Sequence, residues 1–305
     1  MKKIFTLAIF VLFLSSICFS QDLENRINKF KADFGNGYSQ PLVEALGLNM
    51  NNGWVSVKSM KDLFSVDFGI SAVFVPVPSS DKTFLIASPY NPNVIETVPT
   101  AVGSSNELPI YGAPPGANPG TYPKGFDIGI IPVVMPQASI GNLINTRLTI
   151  RALPKIKIND IGYLSLVGFG IQHNISADFI LPMPVDFGIL GSYENLKIGD
   201  IATANAYTVS AIVSKRVWKI NFYSLLGYDY SKFDFKYTSN YYDYNTNTTK
   251  STDIAFSNEG KNGFKLSVGG TAETRFARFN AGMNFLPKFC FDLGMSVGFG
   301  LKKLL

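Results

Sequence analysis

The chain has 305 residues, of which 16% are charged and 13% aromatic, and its formal net charge is +5. With a mean hydropathy of +0.15, this is an unusual mixture for a water-soluble protein of its size. The charge is too mild and too dispersed for nucleic acid, and no uninterrupted apolar run approaches the roughly 20 residues of a membrane helix. The best such run, Ile128–Met135, contains Pro132.

Lys2 and Lys3, the apolar run Ile4–Leu14 and a cleavage site at Cys18, Phe19 and Ser20 before Gln21 read as a secretory signal covering residues 1–20. Cys18 invites a lipoprotein reading, but Ile17 is larger than the residue usually found before a lipidated cysteine. Without the signal the formal charge falls to +3 and one cysteine remains, Cys290, so no internal disulfide is available. An exported, lipid-loving chain without spanning helices has one arrangement that satisfies every backbone group in hydrocarbon, a closed β-barrel.

Residues 21–52 form an N-terminal helical or plug segment. Leu23, Ile27, Phe30 and Phe34 are spaced as one face of an amphipathic helix over Asp22–Phe34. Gly35–Asn52, rich in Gly and Asn, is expected to be irregular. The barrel occupies 53–305. Alternating segments begin weakly at Trp54–Met60 and clearly at Phe64–Phe74, followed by a long, Pro- and Gly-rich outer loop, 76–124.

Strands then follow over Gly125–Met135, Ile144–Leu153, Ile161–His173, Pro184–Tyr193, Ala204–Lys215 and Trp218–Lys232. A second long loop, 238–260, is polar and aromatic. Asn262–Thr271, Thr274–Leu286 and Phe289–Leu301 complete the chain.

The last of these is the clearest. Phe289, Phe291, Leu293, Met295, Val297 and Phe299 alternate with Cys290, Asp292, Gly294, Ser296 and Gly298, one oily face against one small and polar face. Its ten-residue span is roughly 33 Å along the strand, or roughly 25 Å along a membrane normal at a tilt of ~40°. Eleven segments emerge, and bacterial barrels are even-numbered. The fold expected is therefore all-β, an antiparallel transmembrane barrel of about 12 strands, with 10 or 14 as neighbours.

Alternation also assigns polar residues to the inward face. In NTRLTIRALP, Arg147 and Arg151 share a face opposite Leu148 and Ile150, and a basic residue on lipid costs about 2 to 4 kcal/mol near the midplane. The same parity adds Asp67, Asp127, Asp186, Lys265, Arg278 and Asp292 as lumen-lining candidates. They form either ion pairs bracing a closed barrel or the polar wall of a solute path.

Chemistry finds little support. His173 is the only histidine, too few for a metal cluster. Gly294–Gly298 spells G-x-S-x-G, but inside a strand and with no histidine after it. Neither an enzyme, a metal nor a cofactor is expected.

The runs LVEALGLNMNNGWVSVKSM, VPVPSSDKTF, MPQASIGNLINTRLTIRALP and GFGIQHNI followed by LPMPVDFGILGSY resemble an uncharacterised family of exported proteins from Bacteroidota and related bacteria. That resemblance implies an outer-membrane barrel with no established activity. More distantly the architecture is similar to FadL-type outer-membrane transporters, although the segment before Trp54 is short for their plug and the chain ends in Leu305 rather than an aromatic.

Two functions stay open, at the outer membrane of a Gram-negative bacterium. One is passive transport of a small, hydrophobic molecule. The other is a structural or cell-surface interaction barrel without an open pore, with Tyr237–Tyr244 as its contact loop. Expected partners are outer-membrane lipid, the hydrophobic ligand and the barrel-assembly machinery, with no nucleic acid.

Overall fold

A computed structural model of the chain describes residues 32–55, 62–111, 121–158, 162–179, 184–243, 248–274 and 277–302. The signal segment and most of the Asp22–Phe34 helix lie outside the described residues.

Ten strands close into one antiparallel ring: β1 (Asp62–Pro76), β6 (Ile130–Leu143), β7 (Thr146–Ile158), β8 (Gly162–Asn174), β9 (Asp186–Ile198), β10 (Ala202–Val217), β11 (Ile220–Asp243), β13 (Gly263–Glu273), β14 (Ala277–Leu286) and β15 (Cys290–Lys302). Each pairs with its sequence neighbour in this list, and β1 closes on β15. Side chains alternate as the pleat demands. In β8, Leu164, Leu166, Gly168 and Gly170 are buried while Tyr163, Val167, Phe169 and Ile171 are exposed.

The expected count of 12 gives way to ten ring strands and one strand outside the ring. Trp54–Met60 is the segment that falls away: Trp54 and Val55 carry no strand and are buried, and 56–61 lie outside the described residues. The outside strand is β12 (Thr248–Glu259), in the stretch expected to be a loop.

It pairs with Lys232–Asp243, whereas β13 pairs with Ile220–Asp229 of the same β11. β12 and β13 are thus successive lengths of one neighbour, interrupted at Gly260–Asn262. There the side-chain carbonyl of Asn262 accepts the Ser231 N–H at 2.7 Å, keeping the ladder satisfied.

The connections are unequal at the two ends. Short links 144–145, 175–185, 218–219 and 274–276 lie at one end. The long crossing 77–129 and the β11–β12 hairpin lie at the other. Within that crossing, β2 (Thr83–Ala87) pairs with β3 (Ile95–Pro99), and β4 (Leu108–Pro109) with β5 (Thr121–Tyr122).

The segment expected to be irregular is the helix α1 (Ala32–Asn51), 20 residues including Pro41, about 30 Å long. It lies inside the ring. Val43 and Met50 pack with Met135 of β6, Leu164 and Leu166 of β8, Leu196 of β9, Ala204 and Ala206 of β10 and Phe233 of β11. Ala45 and Leu48 pack with Val73 and Val75 of β1, Ile131 of β6 and Cys290 of β15.

Touched from opposite walls of the ring, α1 has no exposed residue from Phe34 to Asn51 and only Asn36, Gln40 and Glu44 as a partly covered polar row, so its sequence needs no wide polar face. That is why no 3.6-residue periodicity marks it. The internal proline, which removes one bond and costs about 3 kcal/mol in a free helix, is offset by burial on every side.

Candidate functional site in the barrel lumen

Three layers fill the lumen from the long-loop end downward. The first is aromatic. Phe34 in the first turn of α1 stacks on Tyr38 (5.6 Å between centroids) and Tyr122 (6.1 Å) and meets Phe84 edge-on (5.4 Å). Tyr237 and Phe256 of the hairpin join the same cluster.

Backbone bonds lock it, with Tyr38 donating its hydroxyl to Lys124 O at 2.8 Å and Ala101 N–H reaching Tyr38 O at 2.8 Å. Lys288, in the β14–β15 turn, ties three elements together by pairing with Glu44 of α1 at 3.0 Å and with Asp81 of the crossing. Burial pulls its pKa down, but the hydrogen bonds to Asp81 and Glu44 outweigh this and hold it above the usual lysine value. Burial, with Glu96 adding to it, pushes Tyr122 up to about 12.

The second layer receives the end of α1. Trp54 lies against β8, where a Cβ on Gly170 would sit 2.7 Å from Cε3 of the indole, so this close approach requires glycine. Trp54 donates Nε1–H to Met50 O at 2.8 Å, and the Arg151 guanidinium lies 3.8 Å over its ring. Arg151 also donates to Gln137 at 3.3 Å and to Glu194 at 3.5 Å. Beside it, Lys265 Nζ donates to the backbone carbonyl of Asn51 at 2.8 Å and to both oxygens of Asp229 at 3.2 Å. Asp292 accepts from Asn280 Nδ2 at 3.0 Å.

The third layer, nearer the short links, is an ion-pair network with Asp67 at its centre. Arg147 reaches one carboxylate oxygen at 3.0 Å and Arg278 the other at 2.8 Å, while Glu273 holds Arg278 at 3.4 Å.

Of the lumen-lining candidates, Asp67, Arg147, Arg151, Lys265, Arg278 and Asp292 are buried and face inward. Asp186 is half-buried at the short-link rim, at the start of β9. Asp127 stands elsewhere. It precedes β6 at φ +48, is exposed, and pairs with Lys82 of the long crossing at 2.8 Å, because the strand begins only at Ile130.

The pairing partners Glu194, Asp229 and Glu273, together with Trp54, are the members that sequence reasoning did not single out. Asp229 lies within an expected strand and was available to the alternation rule, whereas Glu194 and Glu273 fall just beyond the expected ends at Tyr193 and Thr271 and join it only because β9 and β13 run longer. Trp54 was hidden by its resemblance to a strand start.

His173 belongs to a separate cluster at the short-link rim. Its Nδ1 is 2.9 Å from Thr146 Oγ1 and its Nε2 is 2.8 Å from Asp178 Oδ2. Hydrogen bonds from Asn145 and then His173 hold Asp178 below the usual carboxylate range. The Thr146 hydroxyl donates to Ile144 O at 2.9 Å, so this hydroxyl–imidazole–carboxylate row fastens the 175–185 link onto the 144–145 turn. Gly294–Gly298 continues as strand within β15, without the sharp strand-to-helix turn a nucleophile elbow needs.

Residues 1–299 match DUF6588, described as a family of unknown function. The chain belongs to that family. No curated protein matches this DUF6588 member.

Among solved structures it is similar to Ail, the attachment invasion locus protein of Yersinia pestis, with 10% identity over 78% of this chain and 99% of Ail and a TM-score of 0.25. It is also similar to the N-terminal β-barrel domain of Pseudomonas aeruginosa OprF, with 16% identity over 51% of this chain and 98% of that domain and a TM-score of 0.24. At these scores neither likeness adds to what the strand pairings of this DUF6588 chain already establish.

Proposed function

We propose that this is a closed outer-membrane barrel that serves as a structural and cell-surface interaction scaffold rather than an open pore. The observation that carries the reading is α1, which packs against the inward faces of β1, β6, β8, β9, β10, β11 and β15, on opposite walls of the ring. Outer-membrane placement is supported by the ring's exterior, where Phe68, Phe169, Leu226, Phe264 and Phe299 are 55 to 79% exposed, far more apolar surface than water tolerates in one belt. The long-loop end then faces outward, and the β11–β12 hairpin, which projects past the ring, is the surface offered to a partner.

An epitope inserted between Asp243 and Thr248 checks this placement. It should be labelled on intact cells, with the protein still heat-modifiable on semi-native gels. Labelling only after the outer membrane is permeabilised would overturn it.

One feature favours a second reading, in which α1 is displaced to pass a small hydrophobic molecule. The second layer holds buried polar atoms with no hydrogen-bond partner among the described residues, including Arg151 Nη2, Glu194 Oε1 and Asn51 Oδ1. A seat so incompletely satisfied is easier to leave, and the aromatic layer above it suits an apolar ligand. This is also the arrangement to which the FadL resemblance points. No enzymatic step enters either reading.

A further inference from the structure

We propose that the rim formed by β7, β8 and β9 at the long-loop end binds a lipid headgroup carrying two phosphates, the bisphosphorylated diglucosamine of outer-leaflet glycolipid. The inference rests on the outer-membrane reading above.

Lys155 and Lys157 on β7 and Lys197 on β9 are exposed and make no ion pair among the described residues. Their common direction follows from the register. Lys157 pairs with Tyr163 and Ser165 with Lys197, and Tyr163 is itself 53% exposed, so these residues share the outer face of three adjacent strands. The irregularity between Leu153 and Ile156 adds a residue opposite Ser165 and leaves both Pro154 and Lys155 exposed.

Lys157 and Lys197 stand on either side of β8, two strand spacings apart and offset by two residues along it, about 12 Å in all. Amines spread that widely match two anionic groups better than one. The patch is continuous with the apolar belt, since Val167, Phe169 and Ile171 continue the same face of β8 and Ile150 that of β7. A ligand seated there would have acyl chains below its phosphates. Asp200, exposed in the β9–β10 turn, is the acidic residue on this rim among the described residues, and it leaves the three lysines in excess.

The test uses full-length protein folded in neutral detergent, titrated with purified bisphosphorylated lipid A and, separately, with phosphatidylglycerol. Binding is read as the rise in the thermal unfolding midpoint on semi-native gels. Lipid A should raise the midpoint of the wild type. In K155Q/K157Q/K197Q the unliganded midpoint should stay put while apparent affinity falls roughly 100-fold, about fivefold for each lysine removed. K215Q/K219Q, which neutralises exposed lysines at the opposite rim, should respond like the wild type.

An equal response of the rim variant to lipid A, or equal loss in both variants, would overturn the proposal. An equal response of the wild type to phosphatidylglycerol and lipid A would overturn it in favour of general attraction to anionic lipid. A chain that shows no heat-modifiable form at all would instead sink the membrane-barrel reading, so the two failures can be told apart.

Discussion

Asp67 accepts from two guanidinium groups at once, and all three side chains are at least nine-tenths buried. Removing that carboxylate leaves the buried Arg147 without its ion-pair partner and Arg278 with Glu273 alone, and breaking such a pair costs about 3 to 5 kcal/mol. Asp67→Asn should therefore lower the midpoint of urea unfolding far more than Glu194→Gln. Arg151 keeps the Trp54 ring at 3.8 Å and Gln137 at 3.3 Å when Glu194 is neutral, and its contact with Glu194 is long, at 3.5 Å. Equal losses would mean that Trp54 and Gln137 do not compensate Arg151 for the lost carboxylate.

Two ionisable groups at the long-loop end, where the crossing 77–129 caps the aromatic layer, matter at the residue scale too. Tyr122 titrates near 12 and Lys288 above its usual value, so each favours the folded cap in its protonated form. Their stabilisation is complete below the unfolded values, about 10 and 10.4, and is lost as pH rises through the folded ones. Protease cleavage within 77–129 should accordingly increase between pH 10 and 12, with little change between pH 6 and 9 from these groups. In Tyr122→Phe the onset should move to higher pH, and an unmoved onset would show that the phenol is not the group responsible.

At the scale of the element, α1 is where the sequence was least legible. Gly35, Gly37, Gly47 and Pro41 lower intrinsic helix propensity, and burial on all sides removes the wide polar face that would have announced the helix. What holds it is close fit. A Cβ on Gly47 would lie 2.9 Å from Ser231 Cβ on β11 and would also clash with Ser231 Oγ.

Gly47→Leu should therefore unseat the helix, with overpacking of this kind costing about 1 to 3 kcal/mol, while Leu at the exposed position Val209 of β10 should have no such effect. Hydrogen exchange of α1 amides reads the difference. Unchanged protection in Gly47→Leu would mean that the helix does not seat against β11. The strands were legible for the opposite reason, because a wall with lipid-like residues on one face and small polar ones on the other writes a period of two into β1, β8 and β15.

For the whole molecule, the ring count was nearly within reach. Ten of the eleven alternating segments became ring strands, and the eleventh failed because Trp54 is large and apolar for the lumen rather than for lipid. The β11–β12 hairpin was hidden by its Tyr, Asn and Thr, residues that suit a solvent-facing strand as well as a loop. The inward charges were identifiable one by one, but which of them meet depends on register around a closed ring, and no local pattern states that.

Closure of this ring by α1 can be read as conductance across a planar bilayer. Full-length folded protein should be silent, and protein lacking 32–52 should carry steady ohmic current if the ring survives the deletion, which heat modifiability on semi-native gels verifies beforehand. Steady current through the intact protein would contradict a lumen closed by the helix.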